Sequence, residues 1–222
     1  MRIGVISDTH NLLRRDVLER LQGCDAILHG GDVSSQSTLE RLEQIAPVYA
    51  VRGNTDGEWA GCLPQRRELE LGDLRICMAH RKKDLPELTA CDMAVCGHTH
   101  QYTESWLSSP GSGRRTLLLN PGSCGPRRFL QPVTMAMLLT DTDGWRVERI
   151  DLPHTAADSV PETGQDIRWQ IELVVRETQR GKSPAEIAGR AGMDEALAEQ
   201  IARLYVTHPG VTADGIMTKM GL

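Results

Sequence analysis

C-D-M-A-V-C-G-H-T-H, Cys91–His100, is a short apolar run that ends in a glycine and two histidines spaced i, i+2. On extended backbone successive side chains point to opposite faces, so Thr99 turns away while His98 and His100 face one point. Two imidazoles placed in this way are half of a metal site. A single His-x-His in a loop carries little meaning by itself, so its weight depends on the rest of the chain.

Outward from that stretch, the same spacing recurs at the start. Arg2–Ser7 (R-I-G-V-I-S) is a β-branched run that reads as a buried strand and delivers Asp8-Thr9-His10 at its C-terminal end. Asn11 is placed to cap a helix over Leu12–Leu21, with Leu12, Leu13, Val17 and Leu21 on one side and Gly23 beyond. Asp25–Leu28 is the next strand, running into His29-Gly30-Gly31-Asp32, whose glycines permit a tight turn. A helix over about Gln36–Ile45 stops before Pro47, and Val48–Val51 forms a third strand leading to Arg52-Gly53-Asn54-Thr55-Asp56. Strands alternating with helices predict a parallel sheet.

The second half reads as β-rich. Glu68–Leu71 and Leu74–Ala79 flank Gly72-Asp73 as a hairpin whose second arm ends at His80, and Leu85–Ala90 fits a short helical connection. Strands Tyr102–Leu107 and Thr116–Leu119 are separated by a polar loop, and Asn120-Pro121-Gly122-Ser123 follows. A hairpin of Thr134–Leu139 and Trp145–Ile150 turns at Asp143-Gly144.

Asp8, His10, Asp32, Asn54, His80, His98 and His100 thus each lie just past a predicted strand, the edge at which open α/β sheets place their ligands. Each has an ordinary alternative: helix caps for Asp8 and Asp32, a turn for Asn54, a satisfied strand-end histidine for His80. Their common placement points to metal instead. Mixed imidazole, carboxylate and amide donors suit manganese, iron or zinc rather than calcium or magnesium. Seven ligands exceed one tetrahedral centre, and two metals sharing a bridging carboxylate account for the number.

D-T-H, G-G-D, G-N-T-D, an isolated histidine after a strand and G-H-T-H, in that order over residues 1–151, resemble the calcineurin-like metallophosphoesterase superfamily, most closely its small YfcE-like members. The resemblance implies an α/β fold of two stacked β-sheets flanked by helices, a four-layer αββα sandwich. It implies one metal on Asp8, His10, Asp32 and His100 and a second on Asp32, Asn54, His80 and His98. Manganese is the expected ion, with iron, zinc or nickel as alternatives. Asp32, Asn54 and His98 are the candidate catalytic residues, and the implied reaction is hydrolysis of a small phosphate ester, a diester before a monoester, by a hydroxide bridging the metals. Asn120–Ser123 resembles a supporting N-P-G-S loop. Two departures stand out: Arg81 and Lys82 follow His80 where relatives commonly read H-G-H, and Thr55 stands where many carry a histidine able to protonate a leaving group.

Composition narrows the remaining classes. A chain of 222 residues with 40% hydrophobic content has material for a real core. Its longest apolar run, Met135–Leu139, is too short to span a bilayer, and Asp8 arrives before a signal-like segment forms, so the cytoplasm is the expected location. Six cysteines without a C-x-x-C pair read as reduced core thiols. A net charge of −5, with four Trp, three Tyr and one Phe, argues against a nucleic-acid groove. Leu152–Gln165 reads as a linker (152–165) between a phosphoesterase domain (1–151) and a small all-α extension (166–222). There, an apolar stripe at Ile167, Ile171, Val174 and Val175 predicts one helix, and Pro184–Ala191 with Glu195–Thr207 resembles a helix-turn-helix. Residues 182–222 carry four cations against five carboxylates, without the basic footprint of a DNA reader, so a packing or homo-oligomerisation module is expected. A non-catalytic scaffold would show eroded ligands, and here the set is intact.

Overall fold

β-branched and aliphatic runs alternate between two faces in the computed structural model, which describes residues 1–86, 91–108, 115–126, 131–153, 159–161, 167–191, 193 and 195–220. In β1 (Arg2–Ile6), Ile3 and Val5 face one side and Ile6 the other. β1 pairs in parallel with β3 (Ala26–His29), which pairs in parallel with β4 (Val48–Ala50). The antiparallel hairpin of β10 (Val133–Asp141) and β11 (Gly144–Leu152) completes a five-stranded sheet of order β11-β10-β1-β3-β4. The second sheet, of order β5-β6-β7-β9-β8, contains β5 (Arg66–Leu71), β6 (Leu74–Ala79), β7 (Met93–Val95), β8 (Tyr102–Ser108) and β9 (Arg115–Pro121), with β6, β7 and β9 parallel.

The two sheets stack through one core. Ile3, Val5 and Leu28 of the first meet Ile76, Met78 and Val95 of the second, all fully buried. The outer face of the first sheet is covered by α1 (Arg15–Leu21) and α2 (Gln36–Glu43), through Val17, Leu21 and Leu42 against Ile27 and Met137. This is the two-sheet α/β architecture expected from the sequence. Because β1, β3, β4, β6 and β7 run in parallel within their sheets, their C-terminal ends open onto one rim.

Several expectations need correction. Leu12–Leu21 is not one helix: Leu12–Arg14 is a strand, β2, paired antiparallel with β12 (Ser159–Pro161), and the helix begins at Arg15. Helical spacing misled here because Leu12 and Leu13 are both fully buried but in different cores, Leu13 under α1 and Leu12 against the C-terminal helices, as alternating strand side chains require. Asn11 therefore caps nothing, and Arg14 precedes α1 without a side-chain cap. The connection expected over Leu85–Ala90 begins instead with a 3-10 turn at Lys82–Asp84, and residues 87–90 lie outside the described residues. Five of the six free cysteines are buried, whereas Cys62 is exposed at the end of a 3-10 segment.

The extension contains α3 (Ile167–Gln179), α4 (Pro184–Ala191), α5 (Glu195–Thr207) and a further helix, α6 (Ala213–Met220). Ser183 and Glu186 form a reciprocal cap on α4, with Ser183 N donating to Glu186 Oε2 at 3.0 Å. Glu177, almost wholly buried, takes Arg180 at 2.7 Å and Arg190 at 2.6 Å and so pins α3 to α4. α6 was hidden in the sequence by its brevity and by Gly215, although Thr212 Oγ1 accepting from Gly215 N at 3.2 Å is a cap signal. Between the two helices of the expected helix-turn-helix, residues 192 and 194 lie outside the described residues. Among the described residues no helix is long and apolar enough to cross a membrane.

Leu12 joins Ile171, Ile187, Leu197 and Ile216 in one core, so the two-sheet body supplies a residue to the helical bundle. Leu12→Ala is expected to cost about 2–5 kcal/mol of stability, as buried leucine truncations do, and to loosen the helices from β2. Chemical denaturation with hydrogen exchange on α3 measures both, and unchanged stability would mean that the bundle holds without the body.

Candidate metal centre

Beyond the sheet edge the backbone has no strand ladder, and the loops hydrogen-bond to one another instead. Asp8 N donates to Gly31 O and His10 N to Asp32 O, both at 3.0 Å, while Gly97 N donates to His80 O at 2.9 Å. The price of this packing is backbone strain. Among the described residues the non-glycine positions with positive φ are Asp8 (55°), His10 (46°), Asn11 (64°), Asp32 (56°), Ser34 (75°), His98 (70°) and His100 (58°). Five of these are candidate ligands, and strain of this kind clusters at functional sites.

That corrects the geometry expected at His98 and His100 and at Asp8 and His10. The i, i+2 pairs are not on extended backbone, because β7 ends at Val95 and β1 at Ile6. Left-handed turns aim the side chains instead, and at His98 a three-residue turn is closed by Thr99 N donating to Gly97 O at 2.8 Å.

The convergence itself holds. Asp8, His10, Asp32, His80 and His100 are each at most 4% exposed, whereas Asn54 and His98 stand on the solvent side. Ligand atoms of Asp8, His10 and His100 lie within 4.8 Å of one another, as do those of Asp8, Asp32 and His80. The His10 and His100 rings stack with centroids 5.0 Å apart and Nε2 atoms at 3.2 Å. Asp32 Oδ2 lies between the groups, 3.8 Å from His10 Nε2 and 3.3 Å from His80 Nε2. Asn54 Oδ1 is 3.0 Å from His80 Nε2, and the His98 ring meets His80 edge-on at 5.2 Å.

Three details fit metal ions. His80 Nδ1 donates to Gly30 O at 2.8 Å, which turns Nε2 toward the cluster as the ligand atom. Asp8 Oδ1 is fully buried with His100 Nε2 at 3.1 Å as an ion-pair neighbour, and among the described residues no well-directed hydrogen bond satisfies it, a role that an ion would fill. Burial opposes ionisation of Asp8 and Asp32, yet the surrounding imidazoles outweigh it and hold both carboxyls below the usual range, ready as anionic ligands. His80 is the counterpart: burial disfavours its charge, but Asp32 beside it raises its pKa to about 9.

A second layer holds these groups, and much of it was not singled out from sequence. Asp56 accepts from Gly53 N and Ser34 N at 2.7 Å and from Asp32 N at 3.1 Å, tying the Asp32 and Asn54 loops together. Its signal was present, since an aspartate in a Gly-Asn turn commonly takes backbone donors. Ser7 Oγ donates to Asp8 Oδ2 at 2.6 Å. Asn120 Nδ2 donates to Gly97 O at 2.7 Å and Ser123 Oγ to Asp8 O at 2.9 Å, the supporting part expected of the N-P-G-S loop. A side chain at Gly97 would come within 2.0 Å of Ser7 Oγ and 2.6 Å of Asp8 Oδ2, so only glycine fits. His29, outside the candidate ligands, is fully buried with Nε2 at 3.1 Å from Thr9 Oγ1, and burial lowers its pKa to about 4.

Two outcomes follow for the metal-stripped protein and for the second layer. His80 binds its proton more tightly folded than unfolded, so its stabilising contribution is full below pH 6.5 and is lost as pH rises through about 9. His29 is the reverse: its buried neutral form is fully favoured above 6.5 and costs stability as pH falls toward 4. In chelator, stability is therefore expected to peak near pH 6.5 and to fall by on the order of 2 kcal/mol on either side, and denaturant midpoints rising steadily through pH 9 would contradict this. Asp56→Ala is expected to weaken metal binding about 10–100-fold without touching a ligand, measurable by competition with a fluorescent chelator.

The comparisons with known proteins agree with this fold. The model of the calcineurin-like phosphoesterase superfamily domain matches residues 1–143. A probable metallophosphoesterase of Methanothermobacter thermautotrophicus is 32% identical over 152 residues, covering 62% of this chain and 85% of the relative. The YfcE phosphoesterase of E. coli superposes with a TM-score of 0.53 at 25% identity, over 68% of this chain and 98% of that one. A metallophosphoesterase from Sphaerobacter thermophilus shares the fold over 91% of this chain and 99% of its own, with a TM-score of 0.50 at 19% identity. With the family model matched over residues 1–143 and the candidate metal-binding groups clustered, the chain belongs to the calcineurin-like phosphoesterase superfamily and is a metal-dependent phosphoesterase.

Proposed function

We propose that this phosphoesterase holds two divalent metals and hydrolyses phosphodiesters. The observation that carries the two-metal reading is the position of Asp32, whose Oδ2 faces His10 on one side and His80 on the other. Asp8, His10 and His100 would complete the first site, and His80, Asn54 and His98 the second. Manganese suits these nitrogen and oxygen donors, as iron, zinc or nickel would. When bound, the pair of cations supplies an activated water and neutralises charge on the phosphoryl oxygens.

The chain's own groups do the rest. Asn54, exposed and 3.0 Å from His80, is placed to orient a phosphoryl oxygen, and His98 at the mouth stands on the other side. Burial together with the charges of His80 and Arg81 lowers the pKa of His98, favouring the neutral ligand form. The choice of diesters rests on the expectation that the sequence resemblance carries and on shape. One cavity of about 940 Å³ opens beside His98, and another of about 300 Å³ beside Asn54 and His80. A monoester has one organic substituent to place, a diester two.

Asp32→Ala is expected to reduce bound metal from two per chain to below one and to abolish hydrolysis, and near-normal activity in that variant would sink the two-metal reading. Thr55, whose backbone N donates to Asp32 Oδ1 at 2.9 Å, carries a hydroxyl that cannot act as an acid near neutral pH. Nitrophenyl diesters are therefore expected to outpace alkyl diesters by about 10²–10⁴-fold, the usual worth of a general acid, with Thr55→His narrowing the gap. Equal wild-type rates on both esters would show that another group delivers the proton.

A further inference from the structure

The chemistry above leaves Arg81, Lys82 and Lys83 unused. They follow His80 directly, and all three line the larger cavity, which His98 and Asn120 join to the metal centre. Several surface cations elsewhere are paired with carboxylates, as in Arg15 with Glu19, Lys182 with Glu186 and Arg203 with Glu199. Among the described residues Arg81, Lys82 and Lys83 have no such carboxylate. Against these three cations stand two carboxylates: Glu104, which lines the same cavity and accepts from Tyr102 OH at 3.0 Å, and Asp84, the last residue of the same turn, which lines the smaller cavity with Arg81. In a chain of net charge −5, this is a local positive field beside the reacting centre.

The remaining walls add shape. Gln101 just before β8 brings an amide, Thr103 and Ser105 on β8 bring hydroxyls, and Leu118 and Cys96 provide apolar surface. The volume is within the range of small-molecule sites, roughly 300–1,000 Å³. We infer that this cavity receives a diester arm carrying its own anionic group on a hydroxylated frame, as in a nucleotide or a polyol phosphate. The cations would bind the remote phosphate or carboxylate, and β8 would contact the hydroxyls. Arg81 borders both cavities and would sit nearest the scissile phosphate. The inference rests on the diesterase reading of the same site.

The test uses the manganese-loaded full chain and two substrates with the same leaving group: the p-nitrophenyl ester of a nucleoside monophosphate, and that ester with a second phosphate on its ribose. The doubly phosphorylated ester is expected to have a kcat/KM about tenfold higher, expressed in KM and shrinking with added salt. The ratio is expected to approach one in the Arg81→Ala, Lys82→Ala, Lys83→Ala triple variant and to persist in Lys219→Ala on distant α6. If the triple variant does not fold, Lys83→Glu alone is read in the same way. A wild-type ratio of one, or a ratio that survives these substitutions, overturns the anionic cavity while the diesterase reading stands. Failure of both diesters to react overturns both.

Discussion

Loops that must bend through left-handed backbone to bring their side chains together are the constraint on which this molecule rests. Asp8, His10, Asp32, His98 and His100 all have positive φ, at a cost on the order of 1 kcal/mol each. Such conformations persist only where the surroundings leave no alternative. Here the surroundings are the backbone hydrogen bonds between the loop after β1 and the loop after β3, the Asp56 carboxylate, and the Asn120 amide. The two-sheet core beneath holds the strand ends that launch these loops. The metals expected to fill the centre would in turn offset the clustering of carboxylates and imidazoles.

The helical extension enters the same economy through β2. That strand begins two residues after His10, contributes Leu12 to the helical core and Leu13 to the core under α1, and pairs with β12 from the far side of the chain. The first ligand loop is thus anchored at both ends, by β1 in the sheet and by β2 between two cores.

Much of this was readable from the amino-acid sequence, and the failures share a cause. The strands came from β-branched runs, and all seven candidate ligands do lie just past strand ends, because apolar periodicity and glycine punctuation are local signals. What a local signal cannot carry is the loop conformation. The i, i+2 spacing of His98 and His100 suggested extended backbone, whereas the convergence comes from turns fixed by distant partners such as His80 O and Asn120. The role of Asp56 went unread for a related reason, since two of its three backbone donors, Asp32 N and Ser34 N, come from a loop more than twenty residues away. Leu12 was read as helical because two cores meet at β2, and each supplies an apolar neighbour that mimics helical spacing.

The account's central claim is that Asp32 stands between two metals. An anomalous difference map from crystals grown with manganese tests it directly. Two peaks are expected, one bounded by Asp8, His10 and His100 and the other by His80, Asn54 and His98, with Asp32 touching both. A single peak, or two peaks of which only one contacts Asp32, would contradict the account.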